Sequence, residues 1–155
     1  MFLCKISWCI ITSDWNDSGE FKISTLEELE QTLDKFEEQH QSNKASIVHI
    51  FLPSGTYMIV GLGHYKLSWL SYVSPNDNSY KRSIGYKNDK SKEIIKFWYG
   101  NQKDEFIKRE LIPKEMARRA VRHFVQTGGE LTDEVTWDTD LEKPDMNDIN
   151  YDGPF

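Results

Sequence analysis

A chain of 155 residues with 38% hydrophobic and 13% aromatic side chains has enough apolar material for one self-sufficient domain, which excludes wholesale disorder and a disulfide-stapled scaffold. Its net charge of −6 argues against direct binding to nucleic acid, because neutralising phosphates takes a surplus of Lys and Arg. No run approaches the ~20 apolar residues of a membrane helix, so no membrane partner is expected.

Residues Phe2–Ile11 alternate as a strand, with Phe2, Cys4, Ile6, Trp8 and Ile10 on one face. Lys5, Ser7 and Cys9 interrupt this apolar start, and Asp14-Trp15-Asn16-Asp17 follows where a signal peptide would have a small-residue cleavage site. A soluble cytoplasmic protein is expected. Cys4 and Cys9 fall on opposite strand faces, so a local disulfide is not. Ser13–Gly19 reads as a turn-rich loop. Thr25-Leu-Glu-Glu28 is a capping box opening a helix with the stripe Leu26, Leu29, Leu33 and Phe36. Its other face is acidic: Glu27, Glu28, Glu30, Asp34, Glu37 and Glu38. His40–Ser46 reads as the polar loop that ends it.

Short strands come next. Ile47–Leu52 and Thr56–Leu62 flank the turn Pro53-Ser54-Gly55, and Lys66–Val73 follows. The loop Ser74–Ser79 leads to strands Tyr80–Tyr86 and Glu93–Tyr99, set around Lys87–Lys90. Short polar turns between sequential strands imply antiparallel pairing. A second helix starts at Pro113, with Ala117, Ala120, Val121 and Phe124 as its buried stripe and Lys114, Arg118, Arg119 and Arg122 around it. Thr127-Gly128-Gly129 closes it, and Glu134–Trp137 is a last short strand. The expected architecture is α+β: an antiparallel sheet of five to seven strands with two helices packed on it, a single domain over residues 1–137 and an acidic tail over 138–155.

That tail carries six acids and one base, so it holds −5 of the net charge. It is either a solvated appendage or an anionic surface for a basic partner. No catalytic constellation stands out. Gly61-Leu-Gly63-His64 lacks the third glycine of a dinucleotide site and reads as a strand end with a bend. His40, His49, His64 and His123 form no close-spaced pair, and zinc needs three or four converging ligands. No catalytic residue, metal or cofactor is therefore expected. The enzyme-like readings are His49 or His64 as a lone base, Cys4 or Cys9 paired with His64, and acid–base work by the carboxylates of the first helix, a stripe that is more often simply a solvated face. The basic second helix is expected to pair with the acidic first helix or to be solvated.

The segment from Leu111 to Gly128 (LIPKEMARRAVRHFVQTG), with Val135-Thr-Trp137 after it, resembles the immunity proteins of bacterial polymorphic toxin systems, and among them the family called Imm-one. The pattern falls on Ile112-Pro113, Glu115, Ala117, Phe124, Thr127-Gly128 and Trp137, with weaker similarity back to Phe21. Gly129-Glu130 stand where such proteins usually carry a proline. Glu115, Gly128 and Trp137 each have a structural role in view: a carboxylate in the first helical turn, a helix cap, and an anchor pinning the last strand to the second helix.

The resemblance implies an antitoxin, one that occludes the active site of a basic cognate toxin domain, a nuclease or a nucleic-acid deaminase, without chemistry of its own. Contact-dependent growth inhibition is one setting for such a pair. Acids and aromatics near turns are the expected contacts: Asp14, Trp15, Asp17, Tyr72, Asp77, Asp138, Asp140, Glu142, Asp145 and Asp148. The alternatives are a small enzyme with a His-based site and a regulatory adaptor module.

Overall fold

The computed structural model describes residues 2–12, 15–85 and 91–138. Eleven strands and two α-helices occur among them. They are β1 Cys4–Ile11, β2 Asn16–Ile23, α1 Leu26–Gln39, β3 Ser46–Phe51, β4 Tyr57–Leu62, β5 Leu67–Ser68, β6 Leu70–Ser74, β7 Ser79–Ser83, β8 Ile94–Tyr99, β9 Gln102–Ile107, β10 Ile112–Pro113, α2 Lys114–Thr127 and β11 Trp137–Asp138. The α+β class and the helix pair on a largely antiparallel sheet are those expected. Seven strands run in the order β11-β7-β6-β4-β3-β1-β2, and the β8–β9 ribbon joins beside them.

Local chemistry explains the helices. Thr25 caps α1 by accepting the Glu28 N–H at 3.1 Å, and the Glu28 carboxylate accepts from the Ser24 N–H at 2.7 Å. Leu29, Leu33 and Phe36 are its buried stripe. Pro113 sits one position earlier than expected, as the cap residue of α2 rather than inside its first turn. Gly128 ends α2 in the left-handed conformation, at φ 72°.

Two apolar layers follow from the strand alternation. Cys4, Ile6, Trp8 and Ile10 of β1, Val48 and Ile50 of β3, Met58, Val60 and Leu62 of β4, and Leu70 of β6 meet Leu29, Leu33, Phe36, Val121 and Phe124 of the helices. On the back of the sheet Ile47, Ile59 and Trp69 meet Ile95, Phe97 and Phe106 of the β8–β9 ribbon. Strands covered on both faces are apolar on both faces, which is the case for β3 and β4.

Several expectations need correction. Residues 16–19, read as loop, begin β2, which pairs with all eight residues of β1. Its polar composition reflects a position at the sheet edge, with one side open to water. His40, assigned to a polar loop, is 1% exposed. The single strand Lys66–Val73 breaks at Trp69: β5 pairs with β10 in a separate two-stranded sheet, while β6 joins β4 and β7. β7 and β8 are not partners. β8 pairs with β9, a strand that had not been expected, because Lys96 and Glu105 match across it and Phe97 and Phe106 meet in the second layer. The last strand lies later than expected, at Trp137–Asp138, against Ser83 and Arg82 of β7.

The turns sort into two ends. The β1–β2 turn, residues 41–45, the Gly63–Tyr65 turn and the β8–β9 turn share one end, tied by Ser46↔Trp98, the Ile10↔Gly100 bridge and Ser42 N–H donating to the Gly63 carbonyl. The turns at 53–55 and 75–78 share the other, where Asn76 donates to the Ser54 carbonyl.

Candidate functional site

Asp14, Asp140, Glu142, Asp145 and Asp148 lie outside the described residues. The other expected contact residues do not converge. Trp15 and Asp17 belong to one turn-bearing end, whereas Asp77 occupies the turn at the opposite end, its carboxylate accepting the Ser79 N–H at 3.1 Å. Hydrogen bonds from Ser79 and Ser74 hold the Asp77 carboxyl below the usual carboxylate range. Tyr72 faces the first apolar layer, edge-on to Phe124 with centroids 6.1 Å apart. Asp138 lies in the edge strand opposite β2, six strand spacings or ~29 Å away from it.

Asp17 is already engaged. Its carboxylate meets Nε2 of the buried His40, whose Nδ1 lies 2.8 Å from the Phe36 carbonyl. One ring nitrogen of His40 faces each element, so Asp17 ties β2 to the end of α1. Trp15 stands beside this pair. It meets Trp98 edge-on at 6.0 Å, and Lys44 and Lys103 cap the two rings at 5.5 and 4.6 Å. Trp98 donates from Nε1 to the Asn43 carbonyl at 2.8 Å.

A groove of about 420 Å³ adjoins this corner, lined among others by Asp34, Glu37, Glu38, His64, Tyr65 and Lys114. The Arg118 guanidinium bridges from α2 to Glu30, Asp34 and Glu37, and Lys114 reaches Glu37 at 3.6 Å. The two helices therefore pair through charge, as the first of the two sequence readings held. Asp34 nonetheless stays 71% exposed, Glu38 is exposed, and Tyr65 stands 81% exposed beside them. Tyr65 was not among the expected residues. Its signal was there: an aromatic that follows His64 in a Gly-bearing turn and belongs to no apolar stripe.

The histidines have structural duties. His64 Nδ1 accepts the Lys66 and Leu67 N–H groups at 3.1 and 2.9 Å, fixing its turn; burial above all lowers its pKa. His49, opposite Ile59 rather than near His64, stacks with Phe51 and meets Tyr57 and Tyr99, and burial pushes its pKa down to about 4. A ring of that pKa is a weak base. Burial, with Glu28 nearby, pushes the Cys4 thiol up to about 12, so it does not supply a thiolate near neutral pH. Among the described residues no cluster of metal-ligand side chains occurs.

His49 gives a pH prediction. Between pH ~6.5 and ~4 the unfolded chain takes up a proton that the folded chain refuses, so stability falls with pH across that window, by ~3 kcal/mol at most. Urea unfolding at a series of pH values should display this slope, and His49→Gln should flatten it; an unaltered slope in the variant would assign it to other groups.

The motif residues sit where structural roles require. Glu115 is in the first turn of α2, Ala117 and Phe124 are buried in its stripe, and Trp137 packs against the first apolar layer while donating from Nε1 to the Thr132 carbonyl at 3.1 Å. The whole is a small α+β protein that presents carboxylates and aromatic rings at one end of its sheet. The profile of the immunity protein Imm1 family matches residues 17–139, most of the chain, and the protein belongs to that family. No curated protein matches it.

Proposed function

We propose that this immunity protein neutralises a toxin domain that attacks nucleic acid, a nuclease or a deaminase, in the bacterial cytoplasm, by stoichiometric binding over the toxin's active site. A surface that handles nucleic acid is basic, and the observation that carries the reading is the groove at one end of the sheet where the Asp34 and Glu38 carboxylates and the Tyr65 ring are exposed together. Asp34 and Glu38 offer charge that steers encounter and Tyr65 offers rigid contact area, with Trp15 at the adjoining corner. The acids Asp138, Asp140, Glu142, Asp145 and Asp148 extend the same attraction. No step of this mechanism makes or breaks a bond on the chain.

The test is co-expression with the toxin domain encoded beside this gene, scored for rescue of growth and co-purification, followed by binding kinetics. Useful protection calls for about nanomolar affinity, near −12 kcal/mol. Tyr65→Ala combined with Glu38→Lys should weaken binding about 100-fold and reduce its salt dependence, while melting at the wild-type temperature. Failure to rescue and to co-purify would end the reading. Rescue with an unaffected double variant would move the interface elsewhere.

A further inference from the structure

β2 closes one edge of the main sheet, and its outward main chain is defined by the register. The β1–β2 turn is shut by the Thr12 N–H donating to the Trp15 carbonyl at 3.0 Å. Counting along the ladder from that pair, Asp17, Gly19, Phe21 and Ile23 exchange hydrogen bonds with β1, and Asn16, Ser18, Glu20 and Lys22 direct theirs off the sheet. No described strand lies beyond. An open edge of this length is a template for another strand unless its side chains repel one.

The side chains of β2 do not repel a copy of themselves. Only three central registers bring outward residues opposite one another in an antiparallel pair with two-fold symmetry. Centred on Gly19, the axis has no side-chain contact. Centred on Glu20, like charges meet. Centred on Phe21, Glu20 of each copy faces Lys22 of the other, twice, and the two Phe21 rings meet at the axis as a non-hydrogen-bonded pair, the closer kind. Phe21 is 49% exposed and lies against Trp8 with ring centroids 5.6 Å apart. It also borders a groove of about 290 Å³ with Trp8, Phe36, Gln31, Thr32 and Lys35, which leaves room for a second ring. Glu20 and Lys22 keep only light contacts of their own: Lys5 to Glu20 at 3.5 Å, and Lys22 over the Phe2 ring at 5.6 Å.

We propose that β2 is a self-association surface through which two copies of this chain form an edge-to-edge antiparallel dimer, with Phe21 at the two-fold axis and reciprocal Glu20–Lys22 pairs on either side. About five residues a side is small for an interface, so the dimer is weak. The Gly63–Tyr65 turn is left free for another partner.

Sedimentation equilibrium of the full chain from ~1 µM to ~1 mM tests it. The wild type should shift from monomer to dimer mass. Glu20→Lys and Lys22→Glu place like charges at both pairs, so each alone should raise Kd at least about 10-fold. Mixed one to one, the two variants regain opposite charges at every pair and should associate as a heterodimer with near wild-type Kd. That recovery also shows both variants to be folded. A wild type that stays monomeric over the whole range, single variants that dimerise as well as wild type, or a mixture that stays monomeric would each overturn the proposal. So would slowed amide exchange at residues 18–22 only when toxin is added, which would give the edge to the toxin instead.

Discussion

Gly63→Ala should destabilise the protein by about 3–5 kcal/mol, a large share of the ~5–15 kcal/mol that holds a domain together. Gly63 turns the chain out of β4 at φ 112°, a conformation that costs a side-chain-bearing residue about 1–2 kcal/mol by itself. Space adds the rest. A Cβ there would stand 1.8 Å from the His40 carbonyl oxygen and 2.8 Å from the Ala45 Cα, both backbone. Neither can withdraw easily. The His40 ring stacks on Phe36 at 3.9 Å and is held at both nitrogens, while the Gly63 carbonyl accepts the Ser42 N–H. Gly55→Ala is the control, since Gly55 also has positive φ, 94°, but nothing lies within 4 Å of its added methyl. Urea unfolding of the two variants should separate them by at least about 2 kcal/mol. Equal losses would mean that strain alone, not the contact with the α1 cap, accounts for Gly63.

Arg118→Ala should cost about 3–5 kcal/mol, through the charges it abandons more than the contacts it loses. The guanidinium is the shared partner of Glu30, Asp34 and Glu37, with one nitrogen 2.8 Å from Glu30 Oε2, 2.9 Å from Asp34 Oδ1 and 3.2 Å from the Glu30 carbonyl. Its side chain is only 14% exposed. Burial works against its charge, but the Asp34, Glu37 and Glu30 carboxylates prevail and raise its pKa above the ordinary value. Without it three carboxylates crowd one helix face, and Lys114 reaches only Glu37. Arg118→Leu together with Glu30→Gln and Glu37→Leu should regain at least half of the loss in chemical denaturation, because replacing the more buried members of an ion cluster together, rather than one alone, leaves no uncompensated buried charge among them, while Asp34 stays solvated. A triple variant no more stable than Arg118→Ala would show that the geometry of the cluster, not unpaired charge, sets the cost.

The helices were legible in the sequence because their signals are local. Thr25 and Glu28 cap α1 whatever packs on it, and a stripe at Leu29, Leu33 and Phe36 identifies its buried side without reference to a partner. Pro113 and Gly128 bracket α2 in the same way. Strand alternation placed Ile6, Trp8 and Ile10 correctly for the same reason. β2 and β9 were illegible because Asn16-Asp17-Ser18-Gly19-Glu20 and Gln102-Lys-Asp-Glu carry no apolar alternation. Their strand state comes from the hydrogen-bonding edge a neighbour offers. The expected contact residues fared similarly: residue type selected Asp17 and Tyr72, but whether an acid or aromatic faces solvent depends on His40 and Phe124, which are distant in the chain.

The sequence by itself determined the α+β class, the two helices with their caps and buried stripes, the charge match between them, and the resemblance that the Imm1 profile match bears out. Tertiary structure alone decided that the β8–β9 ribbon folds behind the sheet, that Asp17 pairs with His40, and that Tyr65, Asp34 and Glu38 meet at one end while Asp77 and Asp138 lie elsewhere. The division has one cause. Helix capping and amphipathic periodicity act within a few residues, whereas sheet order and the pairing of buried charge depend on groups that only the folded chain brings together.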